Sequence, residues 1–120
     1  GKVFVAQAGR HLALRRESET KVVATLPLAP VESLHRPSAD VLFKSAAECY
    51  GNGVLGVVMT GMGDDGKQGA ACIKSKGGTI LTEAEASCVI YGMPRCVVEA
   101  GLSDGSALLG NMAEKIMEKL

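Results

Sequence analysis

The spacing of apolar and polar positions divides the chain into short strands and amphipathic helices. Val3 to Ala6 is a brief β-rich run, read as a strand in which the chain opens. Gly9 and Arg10 then turn the chain. His11 to Arg15 alternates, Lys21 to Leu26 is again β-rich, and the polar ESET between them predicts a hairpin near the start. Pro27, Pro30 and Pro37 mark an extended connection. Beyond Ser38, a suitable N-cap, Ala39, Leu42, Phe43, Ala46, Ala47 and Tyr50 recur at helical spacing, and Gly51 and Gly53 end that helix.

Val54 to Thr60 is a continuous apolar run rich in β-branched residues. Such a strand, apolar on both faces, belongs in a parallel sheet covered by helices. A glycine-rich turn with Gly61, Gly63 and Gly66 follows, then a helix over 67–76 ended by Gly77 and Gly78, then a strand over 79–82. Residues 54–82 therefore read as a βαβ unit. Pro94 to Ala100 reads as a short helix opened by proline, and Leu108, Leu109, Met112, Ile116 and Leu120 stripe a terminal helix. The fold class is α/β: three layers, with a mostly parallel sheet flanked by helices. Neither a repeat nor a long linker divides residues 1–120, which read as part of one domain.

Composition narrows the function. Thirteen basic and thirteen acidic residues cancel, and only Phe4, Phe43, Tyr50 and Tyr91 are aromatic. Long-range attraction to nucleic acid and a base-stacking platform are both disfavoured. The apolar runs are too short for membrane insertion. Cys49, Cys72, Cys88 and Cys96 form no CxxC pair and sit among small apolar residues, as reduced, buried thiols would. The chain opens without an initiator Met, which reads as the cut end of a longer protein.

The informative local site is Thr60-Gly61-Met62-Gly63-Asp64-Asp65-Gly66, leaving an apolar strand and entering a helix. Ligands and reacting groups gather at such strand ends. Three uses are open: a phosphate cradle, an aspartate capping the following helix, or an aspartate orienting a histidine. The spacing matches neither phosphate-loop pattern, and two aspartates would repel phosphate. His11 and His35 are the only histidines. They read as a partly buried strand residue and a loop residue bonded to backbone, and neither suggests a metal site. Ser87 reads as a backbone-capping hydroxyl.

Three segments together, HRPSADVLF (35–43), VVMTGMGDDGKQGA (57–70) and EAEASCVIYGMPR (83–95), resemble the catalytic domain of the bacterial chemotaxis protein-glutamate methylesterases. The opening VFVAQAGRHLAL resembles that family's hairpin region, so the likeness spans nearly the whole chain. The resemblance implies a Rossmann-like methylesterase domain that hydrolyses glutamate methyl esters on chemoreceptors, in some members also deamidating receptor glutamines. It implies a cytoplasmic serine hydrolase of a two-component system, with a Ser-His-Asp triad, no cofactor and no metal. The implied partners are the cytoplasmic helices of methylated chemoreceptors, and a receiver domain and histidine-kinase pathway in the parent protein.

Carried over by position, the catalytic aspartate is Asp65, with Asp64 at the variable position. Met62 lines the pocket, in the same turn as Gly61 and Gly63. His35 and Arg36 shape the receptor-facing surface. The family's serine and histidine motifs match nothing in these residues. The chain is thus expected to be the C-terminal portion of one catalytic domain, N-terminally truncated, inactive alone and prone to self-association through exposed sheet edge. Two other functions compete: a non-catalytic receptor-docking module on the same scaffold, and a nucleotide-binding domain using the 61–66 loop.

Overall fold

The computed structural model describes all 120 residues. An antiparallel hairpin of β1 (Ala13–Ser18) and β2 (Lys21–Thr25) precedes α1 (Ala39–Tyr50). Then come β3 (Leu55–Val58), α2 (Lys67–Ser75), β4 (Thr79–Glu83), α3 (Met93–Glu99), β5 (Ser106–Ala107) and α4 (Leu109–Lys119). The sheet is three-stranded and parallel, in the order β3-β4-β5. Helices flank it, as the apolar runs predict. The two-residue β5 has no counterpart in the sequence reading, because SA carries no β pattern.

The strand expected at Val3 to Ala6 does not form; no strand precedes Ala13. The β formers are there, but no neighbouring strand lies beside them to accept their hydrogen bonds, and Val3 and Val5 stand exposed. β3 also differs from the expectation of an interior strand. It is shorter than the apolar run and lies at one end of the sheet order, paired only with β4.

The core forms where α1 and α2 meet the sheet. Ala47, Val58, Ala70, Ile73, Ile80 and Val97 bury together, with Phe43, Val54, Met93 and Leu102 packed against them. Ile80 and Leu81 are both fully buried. Neighbours on a strand face opposite ways, so β4 is covered on both sides. Two glycines permit this closeness. A Cβ on Gly56 would lie 2.7 Å from Ile80 Cδ1 and 3.1 Å from Ile73 Cδ1. One on Gly69 would lie 2.5 Å from Phe43 Cβ and 3.0 Å from Asp40 Cα, so α2 touches α1 almost backbone to backbone.

The hairpin docks on the outer side of α1. The Leu14 amide donates to Ser45 Oγ at 2.9 Å, and the Arg16 guanidinium donates to the Cys49 carbonyl. His11 lies just before β1 and is fully buried rather than partly so, its Nε2 2.9 Å from the Pro30 carbonyl. That bond ties the proline-rich connection to the hairpin. Ser38 caps α1 as its position predicts, its hydroxyl accepting from the Val41 amide at 3.4 Å.

Gly69→Ala forces α1 and α2 apart and is expected to cost about 1 to 3 kcal/mol, read as a lower urea midpoint. Gly110→Ala in α4, where an added methyl meets nothing, is expected to leave the midpoint unchanged or raise it.

Candidate active site

The loop between β3 and α2 is fastened at both ends. At its start, the Thr60 amide donates to Glu83 Oε1 at 2.9 Å. Thr60 Oγ1 donates to the Ile90 carbonyl at 3.0 Å and accepts from the Ile90 amide at 2.9 Å. The Gly61 carbonyl accepts from the Gly92 and Met93 amides at 3.2 and 2.8 Å. This contact demands glycine at Gly92, where a Cβ would sit 2.6 Å from the Gly61 carbonyl; a Cβ on Gly61 would sit 2.4 Å from Met93 Sδ, so the end of that side chain would have to shift. Gly63 and Gly66 turn the loop at φ +92 and +103, a region that suits glycine.

At the loop's end, two aspartates exchange helix caps. Asp65 Oδ1 accepts from Ser38 Oγ at 2.9 Å and from the Asp40 amide at 3.0 Å, and Oδ2 accepts from the Ala39 amide at 2.8 Å. In return, Asp40 Oδ1 accepts from the Gly66 and Gly69 amides at 3.0 and 2.7 Å. Asp65 therefore caps α1, not the helix it leads into; Asp40 caps α2. An oxygen of an ionised carboxylate accepts about two hydrogen bonds. Oδ1 of Asp65 is full, and Oδ2 keeps one acceptor position.

Burial alone would raise the Asp65 pKa. The Asp40 and Ala39 amides, the Ser38 hydroxyl and the charge of His35 outweigh it, so the carboxyl sits below its ordinary value. Asp65 borders a cleft of about 610 Å³ whose walls also include His35, Ser38, Lys44, Glu48 and Asp64. Met62 is exposed, and neither it nor Gly61 nor Gly63 borders this cleft. His35 and Arg36 are exposed, and the His35 carbonyl accepts from Ser33 Oγ at 2.8 Å.

Nothing beside Asp65 is an activated nucleophile. The Ser38 hydroxyl gives its proton to the carboxylate directly, with no imidazole between. The Cys88 thiol is pushed up by burial and by the Glu83 carboxylate, which keeps it protonated. Cys88 and Cys96 are only partly buried, as is Cys72; Cys49 alone is buried, and all four are free thiols. Ser87 does cap backbone, accepting from the Leu109 amide at 2.9 Å, while its proton goes to Glu83 Oε2 at 2.9 Å. The phosphate-cradle use of the loop is disfavoured: the amides of Gly66, the N-cap of α2, and of Gly69 in its first turn are already spent on Asp40. No group of three His, Cys, Asp or Glu side chains lies together as metal ligands would.

Sequence reasoning missed Asp40 and Glu83, and gave Thr60 no role beyond its place in the loop. Asp40 had a signal: an acid in the first turn of a helix that follows a serine N-cap. Glu83, 1% exposed, had none, since an acid ending a strand reads as solvent-facing.

A depressed carboxyl pKa contributes stability that is present above the unfolded value, here 3.8, and is lost as pH falls through the folded one. Asp104 is depressed too: burial raises it, but Lys74 at 2.6 Å and the Ile80 amide at 2.8 Å prevail. Stability is therefore expected to fall steadily below about pH 4. In Asp65→Asn the same urea titrations are expected to show a shallower acid slope and, at pH 7, a loss of about 1 to 2 kcal/mol from the weakened cap.

The family model described as CheB methylesterase matches residues 1–116. The chain is 53% identical over 112 residues to protein-glutamate methylesterase/protein-glutamine glutaminase 5 of Myxococcus xanthus (strain DK1622), covering 93% of this chain and 32% of that protein. It is 43% identical over 118 residues to the protein of the same kind from Desulfitobacterium hafniense (strain Y51), covering 98% and 30%. It thus spans about a third of the length of these curated relatives. Its fold superposes on the crystal structure of the Thermotoga maritima CheB methylesterase catalytic domain with a TM-score of 0.88 and 35% identity, covering 93% of this chain and 59% of that one. With the matched glycine loop and the parallel sheet behind it, the chain belongs to the CheB methylesterase family.

Proposed function

We propose that this chain is the aspartate-bearing part of a protein-glutamate methylesterase, acting on methyl-esterified glutamates of chemoreceptor cytoplasmic helices. The observation that carries the reading is Asp65. Its carboxylate stands beyond the carboxyl end of β3 in the TGMG-x-DG string, held by three donors, with one acceptor position left on Oδ2. That is what a triad aspartate needs: a fixed, ionised oxygen with room for one imidazole N–H. The serine and histidine come from outside these 120 residues, so the chain alone has no methylesterase activity.

In this mechanism the histidine takes the serine proton as the hydroxyl attacks the ester carbonyl. Asp65 holds the imidazole in the right tautomer and stabilises the imidazolium. Backbone N–H groups bind the developing oxyanion. Methanol leaves, and water then releases the glutamate. The same acyl transfer extends to a glutamine side chain, with ammonia as the leaving group; relatives carry protein-glutamine glutaminase in their names. Met62, 77% exposed in the loop that bears Asp65, lies outside the cleft of this chain and would line the pocket that the upstream segment completes, with Gly61 and Gly63 shaping its turn. His35 and Arg36 face the receptor. A receiver domain answering a histidine kinase would regulate access.

Methanol release from methylated receptor membranes is expected to be absent with the chain alone. It should appear when the chain is joined to the family's upstream segment carrying the serine and histidine motifs. Asp65→Ala in the joined protein should then lower kcat on the order of 10⁴-fold. Activity from the chain alone would place a nucleophile inside these residues and overturn the reading. Receptor binding without methanol release, after joining, would favour a docking module instead.

A further inference from the structure

We infer that Ser38 is a positioning residue for the esterase reaction: its hydroxyl fixes which oxygen of Asp65 faces the histidine. The inference rests on the proposed role of Asp65. A carboxylate on a short side chain can rotate about its last torsion, and that torsion is soft. Three donors reach this one, and they are not equivalent. The Ala39 and Asp40 amides belong to the first turn of α1 and would satisfy any cap, with either oxygen. Ser38 Oγ is the only side-chain donor of the three. By filling the second position on Oδ1, it leaves the single opening on Oδ2.

Ser38 is suited to this by its own confinement. The residue is 6% exposed. Its oxygen accepts from the Val41 amide at 3.4 Å, so its proton is directed away from the helix and toward Asp65 at 2.9 Å. Asp40 braces the other side, since its bonds to the Gly66 and Gly69 amides hold the residue after Asp65 and the first turn of α2 against α1. Without the hydroxyl, Oδ1 has an unfilled acceptor position of its own. The imidazole N–H could then meet either oxygen, and the histidine would lose its fixed orientation. Misplacement of that kind costs rate rather than substrate affinity.

The test uses the catalytically complete protein, with Asp65→Ala, Ser38→Ala, Ser38→Thr and Ser38→Gly made in it. Ser38→Gly removes the hydroxyl donor and adds no other, and glycine is itself a favoured N-cap residue, so it separates positioning from folding. Rates are taken per active site titrated with an acylating inhibitor, across pH. Ser38→Ala and Ser38→Gly are expected to lower kcat about 10- to 100-fold with KM unchanged. The acid limb of their pH profile should move to lower pH, because a poorly placed carboxylate supports the imidazolium less. Ser38→Thr should restore both.

A merely structural serine would change the number of titratable sites and leave kcat per site and the pH profile alone. That result in Ser38→Gly, with Asp65→Ala still crippled, overturns this inference and keeps the role of Asp65. Wild-type kcat in Asp65→Ala would instead overturn the reading on which it rests.

Discussion

Two helices in this protein begin at each other's expense. The N-terminus of α1 is satisfied by an aspartate from the loop before α2, and the N-terminus of α2 by an aspartate from the first turn of α1. Unpaired amides at a helix start must find acceptors, and negative charge is favoured there. Asp65 and Asp40 meet that need reciprocally, so neither helix start is complete without the other. The contact is possible because Gly69 lets the backbones approach, with no Cβ to collide with Phe43. Packing of α1 on α2, burial of Ile73 and Ala70, and placement of the loop between β3 and α2 all follow from this one exchange.

The rest of the site is organised from the opposite end of the same loop. Glu83 is a buried carboxylate without an ion-pair partner, and it survives burial by accepting from the Thr60 amide and the Ser87 hydroxyl. Ser87 passes the connection on to the start of α4 through the Leu109 amide. The end of β4, the start of the glycine loop and the start of α4 are thus held by one acid and one hydroxyl. Buried polar groups satisfied in this way specify geometry more than they add stability. Here they fix the point at which the loop leaves the sheet, which sets where Asp65 ends up.

The elements that depend on local pattern were legible. Helical spacing after Ser38, glycines after Ser75 and the run VLGVV gave α1, the end of α2 and β3 to within a few residues. What failed needed partners far along the chain. Val3 to Ala6 has strand composition but no strand beside it, and β5 is set only by its pairing with β4. The site divided in the same manner. Asp65 was marked by its loop and by the family likeness. Its partners were not, because Ser38 and Asp40 lie some 25 residues upstream, and a cap reads as local until the loop opposite is seen. The expectation that the loop aspartate caps its own helix was right about the chemistry and wrong about the helix.

Capping and the proposed catalytic role make compatible demands on Asp65. A triad aspartate must stay ionised, hold still and present one oxygen to the imidazole. A helix cap must stay ionised and hold still for the same donors. The bonds from Ser38, Ala39 and Asp40 keep the pKa of Asp65 low against the burial that would raise it, and they fix the carboxylate in place. Only the last requirement, an unspent acceptor, sets the two uses against each other. A fourth donor would complete the cap and close the site. The three present leave one acceptor position on Oδ2, and it is through that position that the cap and the proposed chemistry share one side chain.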